Sequence, residues 1–355
     1  MRSQDSQRSR YPHESLERFT CEVLQNAGVA EEQASIIANA LVRADLRGVD
    51  SHGVARLPAY VRKFEAGGFN ANPTIEIERP TPGTFVVDAD DGPGQWAATE
   101  AIGRTMAAAE ETGVALATVT NSNHFGTAAF YTEQASDRDC IGIAMTNVGP
   151  DVVPFGGIAP FLGTNPLSFS IPTNRAFDIT LDMATSVVAM GKIDHVAQEE
   201  NRSIPEDWAV DSAGEATTDP NAVAALRPLG GPKGYGLAIV VDVLCGLLSG
   251  AGHSPTVGPL YEAYDEPMRL GHLVGAIDIA AFRDVESFKA DVDGMIDELK
   301  SQEPRADVDE IMLPGEIETR TRRENREAGV PIRDGVAADL RDLANRYGVA
   351  FPDER

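Results

Sequence analysis

Cysteine is scarce in this chain: Cys21, Cys140 and Cys245 stand far apart, with no CxxC pair and no Cys/His ligand spacing. That spacing suggests neither a disulfide framework nor a zinc site, and the three are expected to be buried, reduced thiols. Long hydrophobic runs are missing too. No apolar stretch nears the roughly 20 residues a bilayer-crossing helix needs, and the polar start at residues 1–10 lacks the apolar centre of a signal peptide. The chain therefore reads as one that stays in the cytoplasm. Positive charge is also short, with 30 Lys and Arg against 55 Asp and Glu, a net charge of -25. Only Lys63, Lys192, Lys233, Lys289 and Lys300 are lysines. So negative a surface repels phosphate backbones and anionic lipid, which argues against nucleic-acid and membrane partners. The same balance points to a halophilic protein more than to a merely acidic one, because high internal salt shortens the reach of self-repulsion.

What is present is length and patterning. The 355 residues, 42% of them hydrophobic, can bury a sizeable core and favour two domains over one. Leu16, Phe19, Val23 and Leu24 fall on one helical face closed by Gly28. Ile37, Leu41, Val42 and Leu46 mark a second helix, and a third runs from about Pro58 to Gly67 and Gly68. The texture then turns β-rich, with runs at 84–88, 114–120, 141–146, 167–171 and 177–181. Two further helices are expected, an alanine-rich one at 97–112 and one at 236–248 whose almost wholly apolar make-up predicts burial. Residues 202–219 read as an exposed connection. From about Asp284 the helical texture returns, with Phe288, Val292, Met295, Ile296 and Leu299 on one stripe and helices from about Glu316 and Gly335. The predicted fold class is α+β: a helical domain from residues 10–75 and 284–355 around a central α+β domain of residues 76–283.

One stretch, Gly92-Pro93-Gly94-Gln95-Trp96-Ala97, follows an apparent strand and opens a helix, the layout of a dinucleotide fingerprint. The next strand would have to end in a ribose-reading acid, yet it runs into Asn121 and Ser122. A tight strand-to-helix turn is the better reading, so any nicotinamide cofactor would sit on a non-Rossmann scaffold.

Denser polar and glycine clusters carry more chemistry. Ser51, His52 and Arg56 sit together at a helix-to-helix junction. Reduction of a 2-oxo acid needs a proton donor beside the carbonyl oxygen, which histidine supplies near neutral pH, and a cation that can grip a carboxylate with two bonds, as arginine does. The plain structural alternative makes His52 a helix cap and Arg56 a solvated charge. The stretch from Asn121 through His124 to Thr127 follows a strand and precedes a helix, where free N–H groups can receive a phosphate or serve an ordinary N-cap loop. Glycine and proline between Thr146 and Pro166 suggest paired loops around a site, or tight hairpin connections. Asp182, Met183 and Ala184 follow a strand, and Gly230-Gly231-Pro232-Lys233-Gly234 opens the apolar helix, where a lysine and close-approaching backbone suit a phosphate or a packing contact.

Taken together and in this order, the segments 44–58, 121–127, 161–166, 181–186, 230–250 and 313–316 resemble the malate/L-lactate dehydrogenase type 2 family of NAD(P)-dependent oxidoreductases. The likeness runs from about Leu16 to about Pro331. That family also holds sulfolactate, ureidoglycolate, 2,3-diketogulonate and cyclic-imine-2-carboxylate enzymes. The resemblance implies a non-Rossmann fold whose central domain binds cofactor and substrate, a homodimer with sites near the subunit boundary, NAD or NADP as cofactor, and hydride transfer to or from a small 2-oxo or 2-hydroxy acid such as malate, lactate or sulfolactate. Reduction of a cyclic imine 2-carboxylate, or cofactor binding without catalysis, are the alternatives. It makes His52 the proton donor, Ser51 its partner and Arg56 the substrate-carboxylate ligand. His124, Phe125, Gly126, Thr127 and Ala128 become a cofactor loop, with His124 a rival for the acid/base role. Asp182, Met183, Ala184, Lys233 and Gly234 become cofactor contacts, and Pro314, Gly315 and Glu316 close over the same ligand. No metal enters this scheme. Pro232 stands where many relatives have histidine.

Overall fold

The computed structural model describes residues 8–197 and 202–355; most of the polar start read above lies outside them. Strand β1 (Arg8–Tyr11) leads into helices α1 (His13–Asn26) and α2 (Glu31–Leu46), and after two 3-10 turns comes α3 (Leu57–Ala66). The apolar positions at helical spacing in α1 and α2 are those that pack inward: Leu16, Phe19, Val23, Leu24, Ile37, Leu41 and Val42 are fully buried. Pro58 occupies the first turn of α3, where its missing N–H costs nothing, and Gly67 ends the helix in the left-handed region at φ 90°.

A seven-stranded sheet forms the centre. Its strands are β2 (Glu76–Thr81), β3 (Thr84–Asp88), β4 (Val114–Ser122), β5 (Cys140–Thr146), β6 (Leu167–Ile171), β7 (Ile179–Met183) and, further on, β10 (Leu270–Asp278), in the order β2-β3-β4-β10-β5-β6-β7. Only β3 and β4 pair in parallel; the other neighbours are antiparallel. This mixed α+β architecture is not the parallel sheet of a Rossmann domain. Helix α4 (Gly94–Thr112) packs on it through Ala97, Ala98, Ala101, Ile102 and Ala109, small side chains that bring the helix close to Ala117, Val119, Val274 and Ala276. Helix α5 (Ala129–Ser136) lies against β5, where a Cβ on Gly142 would fall 2.4 Å from the Thr132 carbonyl oxygen.

Three expectations need correction. β7 begins two residues later than the expected run at 177, because Thr173 hydrogen-bonds the Phe177 carbonyl (2.6 Å) and the Asp178 carboxylate (3.0 Å) and turns that stretch. β10, the central strand, has no counterpart in the sequence reading. It is buried from Leu270 to Ala276 and interrupted by Gly271 and Gly275, so it shows no two-residue alternation. The apolar helix α7, preceded by α6 (Met190–Ala197) and the short pair β8 (Ala209–Val210) and β9 (Ala225–Leu226), spans Pro232–Asp242 and continues as a π-turn at Val243–Leu247. It is not enclosed: Ala238, Val241 and Cys245 face inward, while Val240 is 52% exposed and Leu247 and Leu248 are each 61% exposed.

The C-terminal elements are α8 (Val285–Lys300), α9 (Glu316–Ala328), β11 (Val330–Arg333) and α10 (Asp334–Tyr347). β11 pairs antiparallel with β1, and Val330, Ile332, Leu340 and Leu343 share one core with Leu16, Phe19 and Tyr60. α8 instead meets the sheet side, through Arg175 to Asp297 (2.7 Å) and Lys289 to Asp139. Of its stripe only Ile296 is fully buried. Glu133 on α5 collects Arg43 and Arg47 from the α2 end and Arg322 from α9, binding helical layer to sheet. Among the described residues no helix is long and apolar enough to cross a membrane.

Candidate active site

The junction after α2 is wound over a buried acid. The Asp45 carboxylate accepts the Val54 N–H at 2.8 Å, and a Cβ on Gly53 would fall 1.8 Å from its Oδ1, so residue 53 has to be glycine. Arg8 and Arg333 of the β1–β11 ribbon reach Asp50 at 3.8 and 3.7 Å and pin the same turn from outside. Three side chains result at fixed positions. The Ser51 hydroxyl lies 2.9 Å from His52 Nδ1. Arg56 donates from Nε to the Ser51 carbonyl at 2.6 Å, lies over the Tyr261 ring at 5.1 Å and hydrogen-bonds its hydroxyl.

The loop after β4 arrives at the same place. The His52 and His124 rings stack with centroids 5.5 Å apart and planes 23° apart. Asn123 fixes the loop by donating to the Asp91 and Gly92 carbonyls (2.6 and 3.0 Å) and accepting from the Met268 N–H (2.9 Å). Phe125 is buried and stacks on His272 of β10 at 4.6 Å. His124 Nδ1 lies 2.5 Å from the Tyr60 hydroxyl, which takes a hydrogen bond from the Gln95 amide at 2.8 Å. The glycine of the weak fingerprint serves packing: a Cβ on Gly94 would fall 2.2 Å from the Asn123 carbonyl oxygen.

The segments matched to cofactor contacts form a continuous chain of neighbours. At the α5 entrance Gly126 adopts φ 79°, and the Ala129 N–H donates to Asp182 Oδ2 at 2.8 Å. The N–H groups of Thr127 and Ala128 have no acceptor in the hydrogen bonds of the described residues. Such a helix entrance fits a phosphate. Asp182, Met183 and Ala184 close β7, and Thr180 on the same strand donates to the Pro314 carbonyl at 3.0 Å, with Gly315 packed on Thr180. Glu316 is held by Lys300 Nζ at 2.8 Å and Arg320 at 2.6 Å, which anchors its loop beside β7. Just past Ala184, the Thr185 carbonyl accepts the Leu229 N–H at 2.9 Å, and Gly234 is packed against that contact. Lys233 beside it is exposed, with no ion pair among the described residues. A separate cleft of about 780 Å³ is lined by Asp88, Asp90, Asp91 and Arg269, a surface too acidic to receive an organic anion.

Burial, and behind it Arg56, lowers His52 to about 4. Burial also lowers His124 well below the ordinary range, with His52, Arg56 and His272 adding to the effect. Both rings are neutral at pH 7, and Tyr60, pushed up by burial, keeps its proton. Tyr60, Gln95 and Tyr261 escaped the sequence reading. Tyr60 sits among ordinary apolar positions of α3 and Gln95 inside the rejected fingerprint, so neither carries a local signal.

The family model described as malate/L-lactate dehydrogenase matches residues 11–341. A malate dehydrogenase of Pyrococcus abyssi is 39% identical over 96% of this chain and 95% of its own length. An L-sulfolactate dehydrogenase of Methanocaldococcus jannaschii is 38% identical over 96% of this chain and 98% of its own. The solved malate dehydrogenase of Pyrococcus horikoshii OT3 superposes with a TM-score of 0.90 at 37% identity, covering 99% of each chain. With a match spanning nearly all of the sequence and the whole fold, the chain belongs to the malate/L-lactate dehydrogenase family.

Proposed function

We propose that the chain transfers a hydride between NAD(P) and C2 of a small 2-oxo or 2-hydroxy acid of the malate, lactate and sulfolactate class, with His52 moving the proton and Arg56 holding the substrate carboxylate. The observation that carries this reading is the juxtaposition of a stacked His52/His124 pair with an arginine whose Nε is anchored on the Ser51 carbonyl. When bound, the nicotinamide supplies or receives the hydride. The backbone N–H groups of Thr127 and Ala128 and the free Lys233 would hold its phosphates, and Asp182 to Ala184 would line the same ligand. In the direction of oxidation neutral His52 accepts the hydroxyl proton, and the Ser51 hydroxyl steadies the imidazolium. Burial depresses His52 most and Arg56 adds to it; in reduction, a carboxylate seated on Arg56 offsets that second contribution and so shifts His52 toward its protonated form. We also infer a cytoplasmic, halophilic homodimer that associates through the open apolar face of α7.

The test is cofactor absorbance at high salt, with NADH and NADPH, against oxaloacetate, pyruvate, sulfopyruvate and piperideine-2-carboxylate. Turnover of one or more 2-oxo acids is expected. His52→Ala should lower kcat by about 10²- to 10⁴-fold with cofactor affinity kept, and Arg56→Ala should act mainly on KM. Full activity in His52→Ala removes His52 from the reaction, and turnover of the imine alone reassigns the substrate.

A further inference from the structure

The two stacked histidines are not interchangeable, and the hydrogen bonds around His124 decide their division of labour. Two groups reach His124 Nδ1, the Tyr60 hydroxyl at 2.5 Å and the Gly126 backbone N–H at 3.3 Å. A backbone N–H can only donate, so Nδ1 has to present a lone pair. The Tyr60 proton therefore points at Nδ1, and its oxygen receives the Gln95 amide N–H at 2.8 Å. The run from Gln95 through Tyr60 to His124 thus has a fixed direction, and the neutral ring must carry its proton on Nε2. His52 is different: among the described residues its Nδ1 faces only the Ser51 hydroxyl, which can turn to give or to accept, so both protonation states of that ring are satisfied.

The charged and titratable groups set around His124 are His52 and Arg56 from the two 3-10 turns, Tyr60 from α3 and His272 from β10. None is a carboxylate, and nothing there among the described residues compensates an imidazolium.

We infer that Tyr60 and Gln95 are positioning residues that lock His124 as a neutral Nε2–H donor, so that His124 grips the substrate oxygen by a hydrogen bond while proton transfer belongs to His52. The inference rests on the reaction proposed above for this site. It is the role of a neutral electrophilic imidazole, which polarises a carbonyl without changing its own charge.

The experiment is nitrogen NMR of the full-length protein labelled at histidine, between about pH 5.5 and 8.5, the span in which an ordinary imidazole titrates. His124 is assigned by comparison with the His124→Gln protein. The expected pattern is a protonated Nε2 and a bare Nδ1 at every pH, with no titration. In Tyr60→Phe the two ring nitrogens should move toward the averaged values of an exchanging ring. kcat should fall by about 10- to 100-fold, the equivalent of one buried hydrogen bond, while the NADH dissociation constant and the pH limb set by His52 stay in place. A proton on Nδ1 in the unsubstituted protein, or a His124 that titrates across this span, overturns the inference. The NMR pattern reads the tautomer whether or not any 2-oxo acid is turned over, so a failed substrate screen and a wrong tautomer are separate outcomes.

Discussion

His272 and Asp45 are buried groups whose ionisation pulls stability in opposite directions. His272 is enclosed on β10 between the Thr146 and Ser122 hydroxyls at 2.7 and 2.8 Å, and burial lowers it to about 3 from an ordinary 6.5. As pH falls below about 6.5 the unfolded chain binds that proton and the folded chain does not, so stability is lost down to about 3. His52, at about 4, adds the same sign. Asp45 is held up to about 8 by burial from an ordinary 3.8, so the folded protein keeps a proton that the unfolded chain releases, and stability is lost as pH rises between those values. Thermal unfolding against pH should therefore fall on both sides of a mildly acidic maximum. Asp45→Asn, which keeps an acceptor for Val54, should flatten the alkaline side, and His272→Gln the acid side. Slopes that match the parent protein in both variants would show that other groups control the profile. Ser51, His52 and Arg56 stand out as candidates in the sequence because three chemically matched side chains within six positions mark a junction, and the structure brings His52 against His124. Tyr60 and Gln95 do not, since their hydrogen bonds toward His124 exist only once α3, α4 and the loop after β4 meet.

At the scale of elements, β4 and β10 show what periodicity can and cannot report. β4 alternates buried and exposed along most of its length, and its expected range was right to within two residues. β10 lies between β4 and β5 with protein on both faces, so the alternation vanishes and its glycines imitate a loop. Those glycines are contact points. A Cβ on Gly271 would fall 1.7 Å from the Cys245 carbonyl of the π-turn, whereas one on Gly294 in α8 meets nothing within 4 Å. Gly271→Ala should cost at least about 1–3 kcal/mol by overpacking, and Gly294→Ala should gain about 0.5–1 kcal/mol of helix propensity. Denaturant midpoints would measure both. Equal midpoints for the two variants would mean that the strand and the π-turn can separate at little cost.

For the whole molecule, charge and apolar exposure have to be read together. A chain of net charge -25 repels its own copies in dilute salt, yet Leu237, Val240, Val243, Leu247 and Leu248 leave an open apolar face along α7. Each is about half exposed, so covering it is worth about 1 kcal/mol. Light scattering after size exclusion should give a dimer at high salt that weakens as salt is removed, and Leu247→Glu should give a monomer at every salt concentration. A parent protein that stays monomeric in high salt would refute the pairing. The sequence showed that this helix is apolar, but whether the cover comes from the same chain or from another is a property of the assembly.

The β1–β11 ribbon sets a timetable. Because the core under Leu16 and Phe19 is completed by Val330, Ile332, Leu340 and Leu343, and because Arg333 helps hold Asp50, the first sixty residues have no finished partner until the last few dozen exist. During synthesis the histidine-bearing turn therefore lacks its finished core, apolar side chains uncovered, until β11 and α10 have emerged and folded back.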